Sequence, residues 1–216
     1  MTSSTVEVLL MARKIANHAK GEGVLFAKKH LRPTYDHLGA VLADSVLQAG
    51  LNYTTVVRPR VMEILREKSH GHTISSLVSL IKRGETCGFM NWFHHEKVSR
   101  FEALVTFLQR RGIEDVQDLR VALASDEFCD AIQAVNGIGP KTVDYLACLV
   151  GVECIAVDRH IRTFAKAAGV ENNDYHVLRA SFCCAADLLS IPRREFDAWL
   201  WRRAAAPAQV QLALVV

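Results

Sequence analysis

Two residues near the middle of the chain have side chains suited to covalent chemistry. Lys141 lies in the run 137–142 (GIGPKT), and Asp158 follows seventeen residues later in the run 155–162 (IAVDRHIR). A lysine attacks carbon only as the neutral amine, so its pKa must be depressed; partial burial and the positive end of a helix both act in that direction. A nearby carboxylate can stabilise positive charge developing on a substrate and can carry a proton.

The two glycines of this run indicate a tight turn between helices. Apolar residues recur at helical spacing over 128–134 and 140–150, glycine permits positive φ, and Pro140 suits the first turn of a helix. We expect the N–H groups of Ile138, Gly139 and the following turn to point outward at the positive end of a helix, where they would bind a phosphate. Gly137 and Thr142 complete the predicted contact.

Each of these residues also has a simpler interpretation. A Gly-x-Gly run can be an ordinary connection between helices, and Lys141 can be a solvated lysine or a phosphate ligand. Asp158 can cap a helix over 159–168, because aspartate is a preferred N-cap residue. Taken singly, the simpler interpretations are preferred; the hairpin, the lysine and the spacing to the aspartate together favour catalysis.

The hairpin and the aspartate together resemble the helix-hairpin-helix DNA glycosylases of the endonuclease III type. That family couples a Gly-x-Gly-x-Lys-Thr hairpin to an aspartate at this spacing. Weaker similarity extends over residues 47–58, 96–108 and 196–201. Asn136 stands where the family more often has proline, a departure within the turn that should cost little.

The resemblance implies a DNA glycosylase with lyase activity at apurinic or apyrimidinic (AP) sites, acting in base excision repair on a damaged base flipped out of double-stranded DNA. Lys141 would form a Schiff base, and Asp158 would stabilise charge and shuttle protons. Gln48 or Asn52 would fill the space left by the extruded base, unless residues 48–53 are only a polar helix connection, and His160 would contact a phosphate. A monofunctional glycosylase using water and a non-catalytic helix-hairpin-helix DNA-binding protein remain alternatives.

The elements that must position these residues are predicted to be helices. Apolar residues recur at helical spacing almost throughout, and 5 Pro and 12 Gly in 216 residues leave room for long segments, so we expect an all-α protein of about ten helices. The resemblance implies two lobes: a helical barrel over 36–150 that ends in the hairpin, and a second lobe of 1–35 plus 151–216. A helix from 140 to 150 and an extended return over 152–158 would bring Asp158 back near Lys141.

Charge, cysteines and termini restrict the partners. The net charge of +3 divides into −2 over 36–150 and +5 over the two ends, which indicates a modest basic face on the second lobe. The six cysteines lack C-x-x-C spacing and the four-cysteine cluster of endonuclease III, so we expect no cofactor, no iron–sulfur cluster and no other metal; a monovalent cation at the hairpin carbonyls stays open. Without a signal peptide or membrane span, we expect an intracellular monomer, cytoplasmic or nucleoid-associated; the apolar segment 210–216 has no assigned role.

Overall fold

The computed structural model describes residues 4–27 and 34–205. All regular elements in these ranges are helical, which confirms the predicted all-α fold class. The finer prediction of a two-lobed DNA glycosylase fold stays a prediction. The apolar segment 210–216 lies outside the described residues.

The described part of the chain contains twelve α-helices. In chain order they are α1 (Thr5–Gly21), α2 (Leu38–Leu47), α3 (Arg58–Glu67), α4 (Ile74–Lys82), α5 (Thr86–Met90), α6 (His95–Arg110), α7 (Val116–Ala122), α8 (Asp126–Ile132), α9 (Pro140–Leu149), α10 (Arg159–Ala167), α11 (Tyr175–Leu189) and α12 (Arg193–Ala205). Short 3-10 turns cover Val24–Phe26 and Ser69–Gly71, and a π-helical turn covers Tyr53–Val57. The count is slightly above the predicted number of about ten.

The first turns of several helices are stabilised by their own side chains. At the start of α1, the Glu7 N–H donates to Ser4 Oγ at 3.3 Å, and the Ser4 N–H donates to Glu7 Oε2 at 3.0 Å. Asp115 and Asp118 form the same reciprocal capping box at α7. Such caps satisfy N–H groups that have no partner within the helix and contribute about 1 kcal/mol each.

The chain divides into two compact units. The hairpin unit is Pro33–Val152, and the terminal unit is Met1–Arg32 with Glu153–Val216. In the hairpin unit, all ten residues of α2 are buried, and this helix packs against α3, α6 and α9. A mostly apolar helix that is buried on every face needs such surroundings.

In the terminal unit, α1 packs along α11, and α10 packs against α12. The core between these helices is rich in aromatic side chains. It includes Ile15, Phe164, Phe182, Phe196 and Trp199.

The thiols are all reduced. None of the six forms a disulfide: Cys148, Cys154 and Cys183 are buried, and the other three cysteines are half-buried. None of the helices within 4–27 and 34–205 combines the length and the apolar character that crossing a membrane requires.

Candidate functional site

The hairpin between α8 and α9 has the predicted position but uses more of its own N–H groups than expected. Gly137 has φ +80°, a conformation that favours glycine. The Ile138 side chain is buried, and the Ile138 N–H donates to the Val135 carbonyl at 2.9 Å. Thr142 is also buried, and its N–H donates to the Gly139 carbonyl at 2.9 Å. The N–H groups of Ile138 and Thr142 are therefore not free, contrary to expectation, because they close the turn.

Gly139 differs from Ile138 and Thr142 because its backbone N–H is available to an external acceptor. Its φ of −101° and ψ of 178° are extended, so the positive φ that we allowed for both glycines occurs only at Gly137. Gly139 is the N-cap of α9 and supplies no side-chain cap; among residues 4–27 and 34–205 its N–H meets no acceptor. The space where a Cβ would lie is open. A donor of this kind, at the positive end of a ten-residue helix, suits an external anion.

Lys141, in the first turn of α9, meets another predicted site residue. Its Nζ donates a hydrogen bond to the Oε1 of Gln48, ninety-three residues earlier in the chain. The same Nζ lies 5.6 Å from the centre of the Tyr145 ring. An amide oxygen and an aromatic face both attract a positive charge. The hairpin unit thus brings together the proposed nucleophile and the proposed base-replacing side chain.

A buried carboxylate beneath this contact was not foreseen. Asp44 has no exposed surface, and it accepts hydrogen bonds from Tyr35 at 3.0 Å, Tyr53 at 3.3 Å and Tyr145 at 2.9 Å. Burial and the Asp44 charge raise the pKa of Tyr35, which keeps that hydroxyl a donor. Because a buried carboxylate is stable only when hydrogen-bonded, these contacts hold Tyr145 in place beside Lys141. An acidic residue inside the apolar run of α2 was the available signal.

The turn that follows α2 is held from two sides. Asn52 is exposed, and its Oδ1 accepts from the Thr55 N–H at 3.0 Å, so it caps the next helical turn as an ordinary connection would. Lys97, a half-buried residue of α6, donates from Nζ to the carbonyls of Val46 at 2.9 Å and Ala49 at 2.8 Å. Burial lowers the pKa of Lys97, and the neighbouring Arg100 acts in the same direction. Sequence spacing gave no hint of Lys97.

Asp158 belongs to the terminal unit, where it is the N-cap of α10. Its Oδ1 accepts from the N–H groups of His160 at 2.8 Å and Ile161 at 3.0 Å, so the simpler interpretation of this residue is realised. The His160 ring lies near the guanidinium of Arg159, with 3.4 Å between Nε2 and Nε. Since Lys141 and Asp158 lie in different units, their approach to one another stays a prediction.

The segment that leads to Asp158 is anchored from within its own unit. Residues 155–157 are buried, and the Ala156 N–H donates to the Asp197 carboxylate of α12 at 3.2 Å. This anchor fixes where α10 begins. Asp158 therefore follows a segment that is hydrogen-bonded within its own unit.

Among the described residues, potential metal ligands do not cluster at the hairpin or at the start of α10. Within the two described ranges, no three side chains of histidine, cysteine, aspartate or glutamate come together in a way that could hold a metal ion. No protein-family model, no curated protein and no solved structure matches this chain. Any function must therefore be argued from the site itself.

Proposed function

We propose that the protein is a DNA glycosylase with AP lyase activity that removes a damaged base flipped out of double-stranded DNA in base excision repair. The observation that carries the proposal is the hydrogen bond between Lys141 and Gln48. A nucleophile and a side chain that replaces the extruded base must both act at the same nucleotide. Lys141 and Gln48, which are far apart in sequence, are in contact as these two roles require.

The reaction would begin with the Lys141 amine, as the free base, attacking C1′ of the nucleotide. The C1′–N bond breaks, the base leaves with its bonding electrons and takes up a proton, and the amine nitrogen becomes a Schiff base as the sugar ring opens. Loss of a proton from C2′ then expels the 3′ phosphate by β-elimination. Asp158 would offset the positive charge on the sugar and carry protons, once bound DNA sets both residues at one sugar.

The backbone would bind DNA through a phosphate at the start of α9. The Gly139 N–H and the open space beside its Cα allow a phosphate oxygen to approach the helix end closely. A contact of this kind positions DNA without reading its sequence. It suits an enzyme that must search many nucleotides for one lesion.

Borohydride trapping on a duplex with a single AP site tests the proposal without knowledge of the lesion. Reduction of the Schiff base should give a stable covalent adduct with the native protein. Lys141→Gln should give none, whereas Lys82→Gln, a matched change at an exposed lysine of the same unit, should leave the adduct unchanged. Absence of an adduct from the native protein, or its persistence in Lys141→Gln, would contradict the proposal.

A non-catalytic DNA-binding protein is the second candidate, and the capping role of Asp158 favours it. If the protein is non-catalytic and Asp158 only caps α10, no base is released and no adduct forms on Lys141, while the hairpin still binds duplex DNA. A panel of duplexes, each with one lesion, scored separately for free base and for strand cleavage, distinguishes the two. Base release without strand cleavage would instead indicate the monofunctional reaction with water.

A further inference from the structure

The guanidinium of Arg100, from α6, lies directly against the hairpin. Its Nε donates to the Asn136 carbonyl at 3.1 Å, and its Nη2 donates to Glu96 at 2.8 Å. The Arg100 side chain is only 14% exposed, whereas Glu96 is 67% exposed. The positive charge is therefore held at the turn, and its partner lies towards solvent.

Gly137 makes room for this guanidinium. A Cβ at position 137 would lie 2.1 Å from the Arg100 Nε and 2.2 Å from its Cζ, far inside van der Waals contact. Gly137 thus suits its position in two ways: glycine favours a φ of +80°, and its missing side chain leaves the space that Arg100 occupies.

The remaining carbonyls of the turn leave little for a bound cation. The Val135 carbonyl accepts from Ile138, and the Gly139 carbonyl accepts from Thr142 and Val143. Over 135–139 only the carbonyls of Gly137 and Ile138 have no donor among the described residues. A monovalent cation needs several oxygen ligands and is repelled by a guanidinium, so the residues present do not fit the cation that the sequence left open.

We propose that Arg100 takes the place of a bound monovalent cation and is the residue that positions the hairpin. Its fixed charge and its hydrogen bond hold the turn so that the Gly139 N–H faces outward at the start of α9. The effect on phosphate binding rests on the proposed function; the effect on the turn does not. The chain therefore carries its own cation where a bound ion would otherwise be needed.

Replacing potassium with a larger cation tests the role of Arg100 without DNA. Thermal unfolding is measured in potassium chloride and in N-methylglucamine chloride at equal ionic strength, because the organic cation is too large to enter a ring of carbonyls. The native protein should have the same midpoint in both salts. Arg100→Gln should be less stable, and its midpoint should be higher in potassium by about 3 °C, since potassium can then bind the vacated Asn136 carbonyl together with the carbonyls of Gly137 and Ile138.

Two further variants complete the design. Arg100→Lys keeps the charge and should behave as the native protein does, and Arg110→Gln, an exposed residue of the same helix, should change nothing. A native midpoint that depends on the cation, or an Arg100→Gln variant as insensitive to it as the native protein, would overturn the proposal. The native measurement needs no variant to fold.

The affinity for a short undamaged duplex, measured in the same two salts, adds the functional consequence. Arg100→Gln should bind at least fivefold more weakly in N-methylglucamine than in potassium, while native affinity should be equal in both. If the native protein binds no duplex at all, the proposed function fails and the melting experiment still decides the role of Arg100.

Discussion

Helices α9 and α10 begin in opposite ways. The start of α9 has a glycine N-cap with no side chain, and the Gly139 N–H meets no acceptor in the described parts of the chain. The start of α10 has Asp158, whose carboxylate accepts two N–H groups of its own helix. The first helix end can take a ligand at no cost to its own hydrogen bonds, whereas the second must give up a cap. We infer that DNA is held at α9, and that Asp158 serves the reaction while it also keeps α10 intact.

The largest effect is expected from a substitution that gives α9 a side-chain N-cap like the one that α10 has. Gly139→Asp fits the extended backbone and the open space, and it should stabilise the fold by a few tenths of a kcal/mol. It should also weaken duplex binding tenfold or more, because a carboxylate then occupies the phosphate position. Denaturant unfolding and fluorescence anisotropy measure the two effects.

Gly139→Ala is the control for this change. It adds a methyl group without a charge, so it should lower affinity less than Gly139→Asp does. Equal affinity in the native protein and Gly139→Asp would show that the helix end binds no phosphate.

Substitutions at Asp158 can separate its role as the N-cap of α10 from the role of its negative charge. Asp158→Ala should destabilise the fold by about 1 kcal/mol, while Asp158→Asn should cost much less because asparagine is an equally good N-cap. Both should abolish base release if the charge is needed, and Asp158→Asn should leave duplex binding nearly unchanged. Full activity in Asp158→Asn would reduce Asp158 to a cap.

The start of α2 provides a third case, a cap that titrates. His37 is 2% exposed; its Nδ1 accepts from the Ala40 N–H at 3.2 Å, and its Nε2 lies 2.8 Å from the Lys68 carbonyl. Burial lowers the pKa of His37 below its usual 6.5, and the nearby His72 and His70 add to this. Protonation at Nδ1 would remove the cap.

Stability from this cap should be complete above about pH 6.5 and should fall as the pH drops towards the lowered pKa of the folded state, because the unfolded chain then binds the extra proton. Each unit by which the pKa is lowered corresponds to about 1.4 kcal/mol. His37→Asn keeps a capping side chain that does not titrate but loses the contact with the Lys68 carbonyl, so the native protein should be the more stable of the two near pH 8, and this advantage should narrow or change sign near pH 5. A difference that does not vary with pH would contradict this assignment.

The smallest expected effect is the dependence of duplex affinity on salt concentration. If the main phosphate contacts come from the hairpin backbone and a few arginines, about two or three phosphates are neutralised, and the logarithm of affinity should fall with the logarithm of salt with a slope of about −2 to −3. A slope as steep as about −6 would mean that a broad basic surface, and not the helix end, dominates binding.

Local features of the chain were predictable because they depend on residues close in sequence. The helical periodicity, the turn at 137–139, Pro140 at the start of α9 and the capping alternative for Asp158 all follow from nearest neighbours. The N–H groups of Ile138 and Thr142 were misjudged because a turn this tight consumes its own donors.

The supporting contacts are long-range, and spacing carries no signal for them. Arg100 reaches a turn thirty-six residues away, Lys97 reaches Val46 fifty-one residues away, and Tyr145 reaches Asp44 one hundred and one residues away. Each depends on how helices pack, which periodicity alone does not determine. Asp44 was the one member of this group with a local sign, a charge within a buried helix.

Identification of the trapped lysine tests the central claim most directly. The native protein is reduced with borohydride on an AP-site duplex, digested with protease and nuclease, and the residue that carries the sugar remnant is located by mass spectrometry. Lys97 is the natural competitor, since it is half-buried in the same unit and contacts the turn after α2. We predict that the remnant is on Lys141; a remnant on Lys97 or any other lysine, or no remnant at all, would contradict the account.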